Sequence, residues 1–334
     1  MNMLNVTSRE TVVTQIEVPT PYAIGTVNMY LLQREGFVVL VDAGVDTDEA
    51  WDIFTRTLRE NGLQVNSLDA IVLTHHHDDH VGIVNRILQR KAIPVFVHPR
   101  SVVRLTRDAQ YLECRLQFFD SLYERMGFGD LGRQRIDILR RNLHNEDQLR
   151  LPREALTPVG DDSTVPVLPG VDFYYTPGHA VDHFVLYDEH ANWLFSGDLL
   201  LPHVSSNAIV EPDERTWRRL HTVSQMRESL RLCLDLPAQT VFPGHGEPFS
   251  QLQSLAEYRL NRIDGKAERI IHILENGPHT AAEVCQKMYP TKLHTEFYLV
   301  ASEVVGLLDY LADVGKVSVS HQGAYDVWET KVAD

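Results

Sequence analysis

Four histidines and two aspartates fall within Thr74-His75-His76-His77-Asp78-Asp79-His80, directly after the apolar run Ala70–Leu73. Such a run reads as a buried strand, so the cluster starts at the strand's carboxyl end, where open α/β sheets hold their sites. Neutral imidazole and carboxylate are the ligands that zinc and other divalent transition metals prefer. The i, i+2 spacing of His75 and His77 lets an extended loop turn both rings to one ion. Asp79 and His80 then face a neighbouring position. The plainer alternative is a solvated polar loop or a tag-like run, but a tag sits at a terminus and lacks the aspartates. Three more segments argue against it: Thr176-Pro177-Gly178-His179, Ser196-Gly197-Asp198 and Phe242-Pro243-Gly244-His245-Gly246. Each closes a strand-like run with a metal-type residue beside glycine, which allows close backbone approach. One Gly-His alone reads as a turn; the four segments in this order read as one site.

The rest of the chain frames that site. Val12–Val18, Thr26–Gln33 and Phe37–Asp42 read as strands, and Thr47–Asn61 as a helix stopped by Gly62. Val81–Arg90 reads as a helix and Val95–His98 as a strand, so the first hundred residues predict a layered α/β domain. Residues 101–155 change to helical spacing, with Tyr111–Met126 and Leu131–Leu143 as two helices of an insertion. Strands are expected again at Thr164–Leu168, Val171–Thr176, Phe184–Tyr187, Trp193–Ser196 and Thr240–Phe242, with a helix at Thr216–Leu234. Farther on, Ile263–Glu275 reads as a helix, Thr280 to Glu283 as a capping box, and Thr295–Val314 as a long apolar helix. Gln322-Gly323 then joins two strands of a hairpin. Helix, helix, helix, hairpin is the order of a winged helix. The expected division is 1–260 for the main domain, with the insertion at about 101–155, and 261–334 for a small winged-helix-like domain.

The run His75, His77, Asp79, His80, followed by PGH, SGD and PGHG, resembles the metallo-β-lactamase-fold hydrolases. The likeness covers about residues 10–260 outside the insertion. The C-terminal part adds a narrower similarity to the β-lactamase-like-protein-2 group. The resemblance implies a four-layer αββα sandwich with the site at one edge. It implies a first metal held by His75, His77 and His179, a second held by Asp79, His80 and His245, and Asp198 as the bridge. Asp42, in Val41-Asp42-Ala43-Gly44, matches the family's acidic support residue. Two divalent ions lower the pKa of a shared water, making hydroxide the nucleophile. Asp79 is then the catalytic candidate that orients this water or takes its proton. Zinc is the expected metal, with iron and manganese as the alternatives.

Charge helps to choose a substrate. The chain has 31 Lys+Arg against 46 Asp+Glu, a net charge of −15. From Gly265 to Asp334 there are six basic residues against ten acidic. A nucleic-acid reader normally advertises a basic face, so nucleic acid is not the expected partner. The tail reads instead as a packing, homodimerisation or pocket-wall module. A small ester or thioester is the preferred substrate class. A phosphodiester including RNA, or the chemistry of a mono-iron oxygenase of this fold, are the alternatives, and a ligand binder that turns over little is a third. Aromatics Tyr111, Phe118, Phe119, Tyr123 and Phe128 either form the core of the insertion or roof a pocket. Arg104, Arg107 and Arg115 either meet an anionic substrate tail or make a solvated face. His203 is a candidate substrate contact. His183 reads equally as a support residue or a core histidine, and His98 as structural. Cys114, Cys233 and Cys285 fall in no ligand motif and read as buried small hydrophobes in a reducing compartment. No secretory signal or membrane-length apolar run is visible, so a cytoplasmic location is expected.

Overall fold

The computed structural model describes residues 5–7, 11–145, 149–160 and 165–331. Its first sheet has seven strands in sequence order: β1 (Asn5–Thr7), β2 (Thr11–Pro19), β3 (Thr26–Arg34), β4 (Phe37–Val41), β5 (Ala70–Val72), β6 (Val95–Val97) and β7 (Leu156–Pro158). The pairs from β1 to β4 are antiparallel and those from β4 to β7 are parallel. A second sheet is ordered β11-β10-β9-β8, from β8 (Val171–Tyr175), β9 (Phe184–Asp188), β10 (Trp193–Gly197) and β11 (Thr240–Pro243).

Residue alternation builds four layers from these sheets. In β9 and β10, Phe184, Leu186, Trp193 and Phe195 face the first sheet, where they meet Tyr30, Val72 and Phe96. Phe195 and Phe242 stack at 4.8 Å, with the Tyr30 ring edge-on to both. Their neighbours Val185, Tyr187 and Leu194 face outward instead, against α7 (Thr222–Leu234) and α8 (Leu252–Leu274). The outer face of the first sheet is covered by α1 (Asp48–Glu60), through Phe54 and Leu58, and by α3 (Val84–Leu88), through Ile87. The result is the αββα sandwich. Asp78–Val81 forms a short helix, α2, ahead of α3.

The insertion is α4 (Val102–Leu105) followed by a hairpin of α5 (Ala109–Arg125) and α6 (Gly129–Asn145). The C-terminal segment contains β12 (His279–Thr280), α9 (Ala281–Met288), α10 (Lys292–Thr295), α11 (Phe297–Asp313), β13 (Val317–Gln322) and β14 (Tyr325–Thr330). Thr280 and Glu283 form the expected capping box. Leu122 and Phe128 of the insertion share one apolar core with Leu230, Ile270, Leu308 and Trp328. Arg125 also pairs with Asp326 at 2.7 Å. The boundary placed at 260/261 falls inside α8, which runs unbroken from Leu252.

Several expectations need correction. Val165–Leu168 is a turn, closed by Leu168 N–H donating to Val165 O at 2.9 Å; Pro166 has no N–H for a sheet ladder. Thr164 lies outside the described residues. The Thr216 helix begins only at Thr222, because Trp217 takes a left-handed φ of 56° and Arg219 bridges to Pro212. Phe119, Tyr123 and Phe128 pack with Phe297 and Tyr298 as core. Cys233 and Cys285 are buried, whereas Cys114 is half-exposed. Among the described residues no helix is long and apolar enough to cross a membrane.

Candidate metal centre

Strand register brings the four motif loops to one end of the sandwich. β4 and β5 are parallel with Val41 opposite Val72, so Asp42 and the histidine loop leave the sheet together. β10 and β11 are parallel with Gly197 opposite Pro243, so Asp198 and His245 emerge side by side. β8 and β9 pair Tyr175 with Phe184, and the loop between them carries His179 and His183. Two glycines make the approach possible. A Cβ on Gly244 would lie 2.2 Å from Asp198 Oδ1, and one on Gly197 would lie 2.6 Å from His183 Nε2.

Three groups of metal-type atoms converge within 4.8 Å: His75, His77 and His179; Asp79, His80 and His245; and His75, His80 and Asp198. Asp198 sits between the first two. Its carboxylate lies 3.4 Å from His80 Nε2, 3.3 Å from His245 Nε2 and 3.5 Å from His179 Nε2.

In four of the five imidazoles the outward nitrogen is fixed by a fold contact, which settles which nitrogen points inward. His80 Nδ1 donates to Asp42 at 2.8 Å. Thr74 gives its hydroxyl proton to Asp42 at 2.9 Å, so His75 Nδ1 must donate to Thr74 Oγ1 at 3.0 Å. His179 Nδ1 donates to the Asn207 carbonyl at 3.0 Å, and His245 Nδ1 to the Thr26 carbonyl. These four rings are thereby left with Nε2 lone pairs facing one space. His77 differs, turning Nδ1 inward to within 3.0 Å of Nε2 on both His75 and His179.

Lone pairs this close repel unless a cation sits among them. His80 Nε2 and Asp198 Oδ1 are also buried without any hydrogen-bond partner, a costly state for polar atoms. A cation relieves both, so the residues fit a metal. Burial and neighbouring imidazoles push the pKa of His75 and His77 well below the usual value, and burial lowers that of His179. Burial alone would lower His80 and His245 too, but carboxylates outweigh it: Asp198 with Asp42 for His80, and Asp198 for His245. Both are held above the usual value. Burial would raise Asp198, yet His80 and His245 outweigh it and hold it well below the carboxylate range. Neutral imidazoles thus form one half of the site, and the other half attracts positive charge.

The wider surroundings hold contacts that the sequence pattern did not announce. Asp182 accepts from His76 Nδ1 at 2.7 Å and from Ser101, tying the histidine loop to the start of the insertion. Asn28 on β3 donates to the carbonyls of Pro243 and Gly246 at 2.9 and 2.7 Å, holding the His245 loop. His183 is a support residue: its Nε2 accepts the Asp198 N–H at 3.1 Å. His98 stacks on Tyr175 at 4.4 Å, as a structural histidine does.

A cavity of about 1120 Å³ opens above this floor. One wall is apolar, from Leu112 and Leu116 of α5 and Leu139 and Leu143 of α6. Tyr289, Tyr298 and Leu299 of the C-terminal segment line another part. Of the insertion's aromatics only Tyr111 reaches the lining. Arg104, Arg107 and Arg115 do line it, but Arg115 is paired to Glu211 and Arg104 is buried, so neither is part of a solvated face. His203 is exposed and not among the lining residues; a bend at Pro202–Val204 turns it to solvent, and Val204 and Ser205 line the cavity instead.

Sandwich and site together define a class, the metal-dependent hydrolases. Residues 23–245 match the family model described as Metallo-beta-lactamase superfamily. The chain is 31% identical over 297 residues to the Probable metallo-hydrolase YqjP of Bacillus subtilis (strain 168), covering 89% of this chain and 91% of that one. It is 26% identical to the Beta-lactamase-like protein 2 homolog of Caenorhabditis elegans, over 81% of this chain and 73% of that one. A solved metallo-beta-lactamase family protein from Thermus thermophilus superposes with a TM-score of 0.77 at 26% identity, over 96% of this chain and 98% of that one. The chain belongs to the metallo-beta-lactamase superfamily, and its His/Asp groups are ones that could hold a metal ion.

Proposed function

We propose that the protein hydrolyses a thioester at a paired metal centre, with His75, His77 and His179 holding one ion, Asp79, His80 and His245 the other, and Asp198 between them. The observation that carries this is the convergence of five inward imidazole nitrogens and two carboxylates on the floor of the cavity. A pair of divalent ions bound there supplies Lewis acidity and an activated water.

The chain's own residues do the rest. The apolar wall from α5 and α6 takes the acyl chain and excludes water from it. Asp79 lines the cavity and places one carboxylate oxygen 3.6 Å from His245 Nε2. It orients the attacking water and accepts a proton from it. The water oxygen bonds to the acyl carbon, the C–S bond breaks, and the thiolate leaves to be protonated by solvent. A carboxylate, a thiol and one proton result.

The cavity's size supports a thioester with a substantial thiol half, since small-molecule clefts commonly hold ~300–1,000 Å³. Two relatives carry thioesterase names: Thioesterase pkgB of Emericella nidulans, 27% identical over 248 residues, and Atrochrysone carboxyl ACP thioesterase of Aspergillus fumigatus, 23% identical over 276 residues. The chain spans about half the length of each.

The test is a paired rate assay on one metal-quantified sample. One arm offers acyl-glutathione and acyl-CoA; the other offers bis-p-nitrophenyl phosphate and a short single-stranded RNA. The expected result is a chelator-sensitive thioesterase rate far above the phosphodiesterase rate. The reverse order refutes the proposal.

A further inference from the structure

The net charge of −15 does not extend to the cavity. Its lining holds eight Arg and Lys against six Asp and Glu, and two of those acids, Asp79 and Asp198, belong to the metal floor. The cations fall into two groups. Three arginines of the insertion are engaged: Arg115 with Glu211, Arg104 with the Arg100 carbonyl at 2.7 Å, and Arg107 with the Asn142 carbonyl.

Arg135 of α6 and two arginines of α8 are not. Arg135, Arg262 and Arg269 have no carboxylate partner among the described residues. Arg135 lies over the Tyr298 ring at 4.5 Å, and its buried Nε has no hydrogen-bond partner. Arg262 and Arg269 are one α8 face, seven residues apart, and both are exposed. Among the described residues, the only side-chain hydrogen bond given by Arg269 is a long one of 3.4 Å to the Met288 carbonyl. Lys266 and Lys292 line the same side but are answered by Glu303 and Glu296.

A cavity with a leucine wall, a metal floor and three arginines lacking carboxylates suits an amphiphile. Arginine is the side chain best matched to phosphate, through its planar fork of donors. Resting on the thioesterase reading, we infer that these arginines bind the phosphates of the substrate's thiol half, making the substrate an acyl thioester of a phosphorylated carrier of the coenzyme A kind. The leucine wall disfavours RNA, whose sugar-phosphate chain has no use for it. A basic pocket in an acidic protein also steers the anion to the one place where it is productive.

The test is calorimetric binding of CoA and of phosphate-free pantetheine to the metal-loaded protein at low and moderate salt, beside rates on their acyl thioesters. CoA should bind on the order of tenfold or more tightly than pantetheine, with the gap narrowing as salt rises. The variant Arg262→Ala/Arg269→Ala should lose on the order of tenfold in CoA affinity and raise KM for acyl-CoA more than for acyl-pantetheine. Its melting temperature reports whether it folds, and the single variant Arg135→Lys, which keeps charge but not the fork, gives a second reading. Equal affinity for the two thiols, an unaffected double variant, or displacement of CoA by a short RNA at lower concentration would each overturn the inference. Arginine-dependent CoA binding with no thioester cleavage would refute the thioesterase reading alone. Cleavage of both thioesters with equal KM would refute the phosphate subsite alone.

Discussion

His183 holds the backbone of Asp198 in place, accepting its N–H at Nε2 across 3.1 Å. An accepting Nε2 requires the proton on Nδ1, and that nitrogen donates to Thr176 Oγ1 at 2.9 Å. Burial, with the neighbouring His179, pushes the His183 pKa down to about 3, so the ring stays neutral and keeps the accepting lone pair. The variant His183→Ala should cost about 1–3 kcal/mol, the penalty for an orphaned buried N–H. Its metal affinity should fall about 10–100-fold, as when other outer supports are lost. Chelator competition and denaturant unfolding measure the two effects, and His183→Gln, which retains an acceptor, should recover part of both.

Asp42 serves three donors: the Thr74 amide at 2.8 Å, the Thr74 hydroxyl at 2.9 Å and His80 Nδ1 at 2.8 Å. Asp42→Asn replaces one acceptor oxygen with an NH₂ group that faces a donor. Metal affinity should fall by about 10–100-fold while far-UV circular dichroism stays native. A competition titration that returns wild-type affinity would remove Asp42 from the support of the site.

Glu211 is buried and forked onto Arg115, 96 residues away in sequence. Burial would raise its pKa, but Arg115 and then Arg104 outweigh it, and the folded value lies below the unfolded one. Its contribution to stability is therefore complete above the unfolded glutamate value of ~4.3 and is lost as pH falls through the lower folded value. Glu211→Gln should flatten that acid limb. At neutral pH it should cost about 2–3 kcal/mol, less than the ~3–5 of a fully buried pair because Arg115 keeps 23% of its side chain exposed. Urea unfolding across pH 3 to 8 measures both.

Burial pushes the Cys233 thiol up to about 12 and raises Cys285 as well. Cys233 lies on α7 and Cys285 on α9, inside the core that joins the sandwich to the C-terminal segment. At pH 8 the native protein should give one accessible thiol with Ellman's reagent, from half-exposed Cys114, and three after unfolding. Early release of a second thiol would mean that the C-terminal segment opens on its own.

The ligand loops were legible because each is local: a strand, a glycine and a metal-type residue within five positions. Sheet register then brings them together, and register follows from alternation that the sequence also shows. What was not legible depends on distant pairs. His76 meets Asp182, and Arg115 meets Glu211, with nothing in either segment to announce the partner. The summed charge of residues 265–334 likewise does not tell that Lys266, Arg269 and Lys292 line the cavity beside Arg262. The aromatic stripe at Phe119, Tyr123 and Phe128 was ambiguous because helical spacing is the same for core and lid. Phe297 and Tyr298 decide it by packing against those rings. The expected strand at Thr164–Leu168 gave β-branched and apolar residues more weight than Pro166.

The paired centre is tested most directly by titrating metal-stripped protein with zinc, and separately with iron(II), while thioesterase rate and bound metal are read on the same samples. Activity should rise until two ions are bound per chain and vanish with chelator, and Asp198→Ala should lower occupancy and rate together. Full activity at one ion per chain, or a rate indifferent to metal, would contradict it.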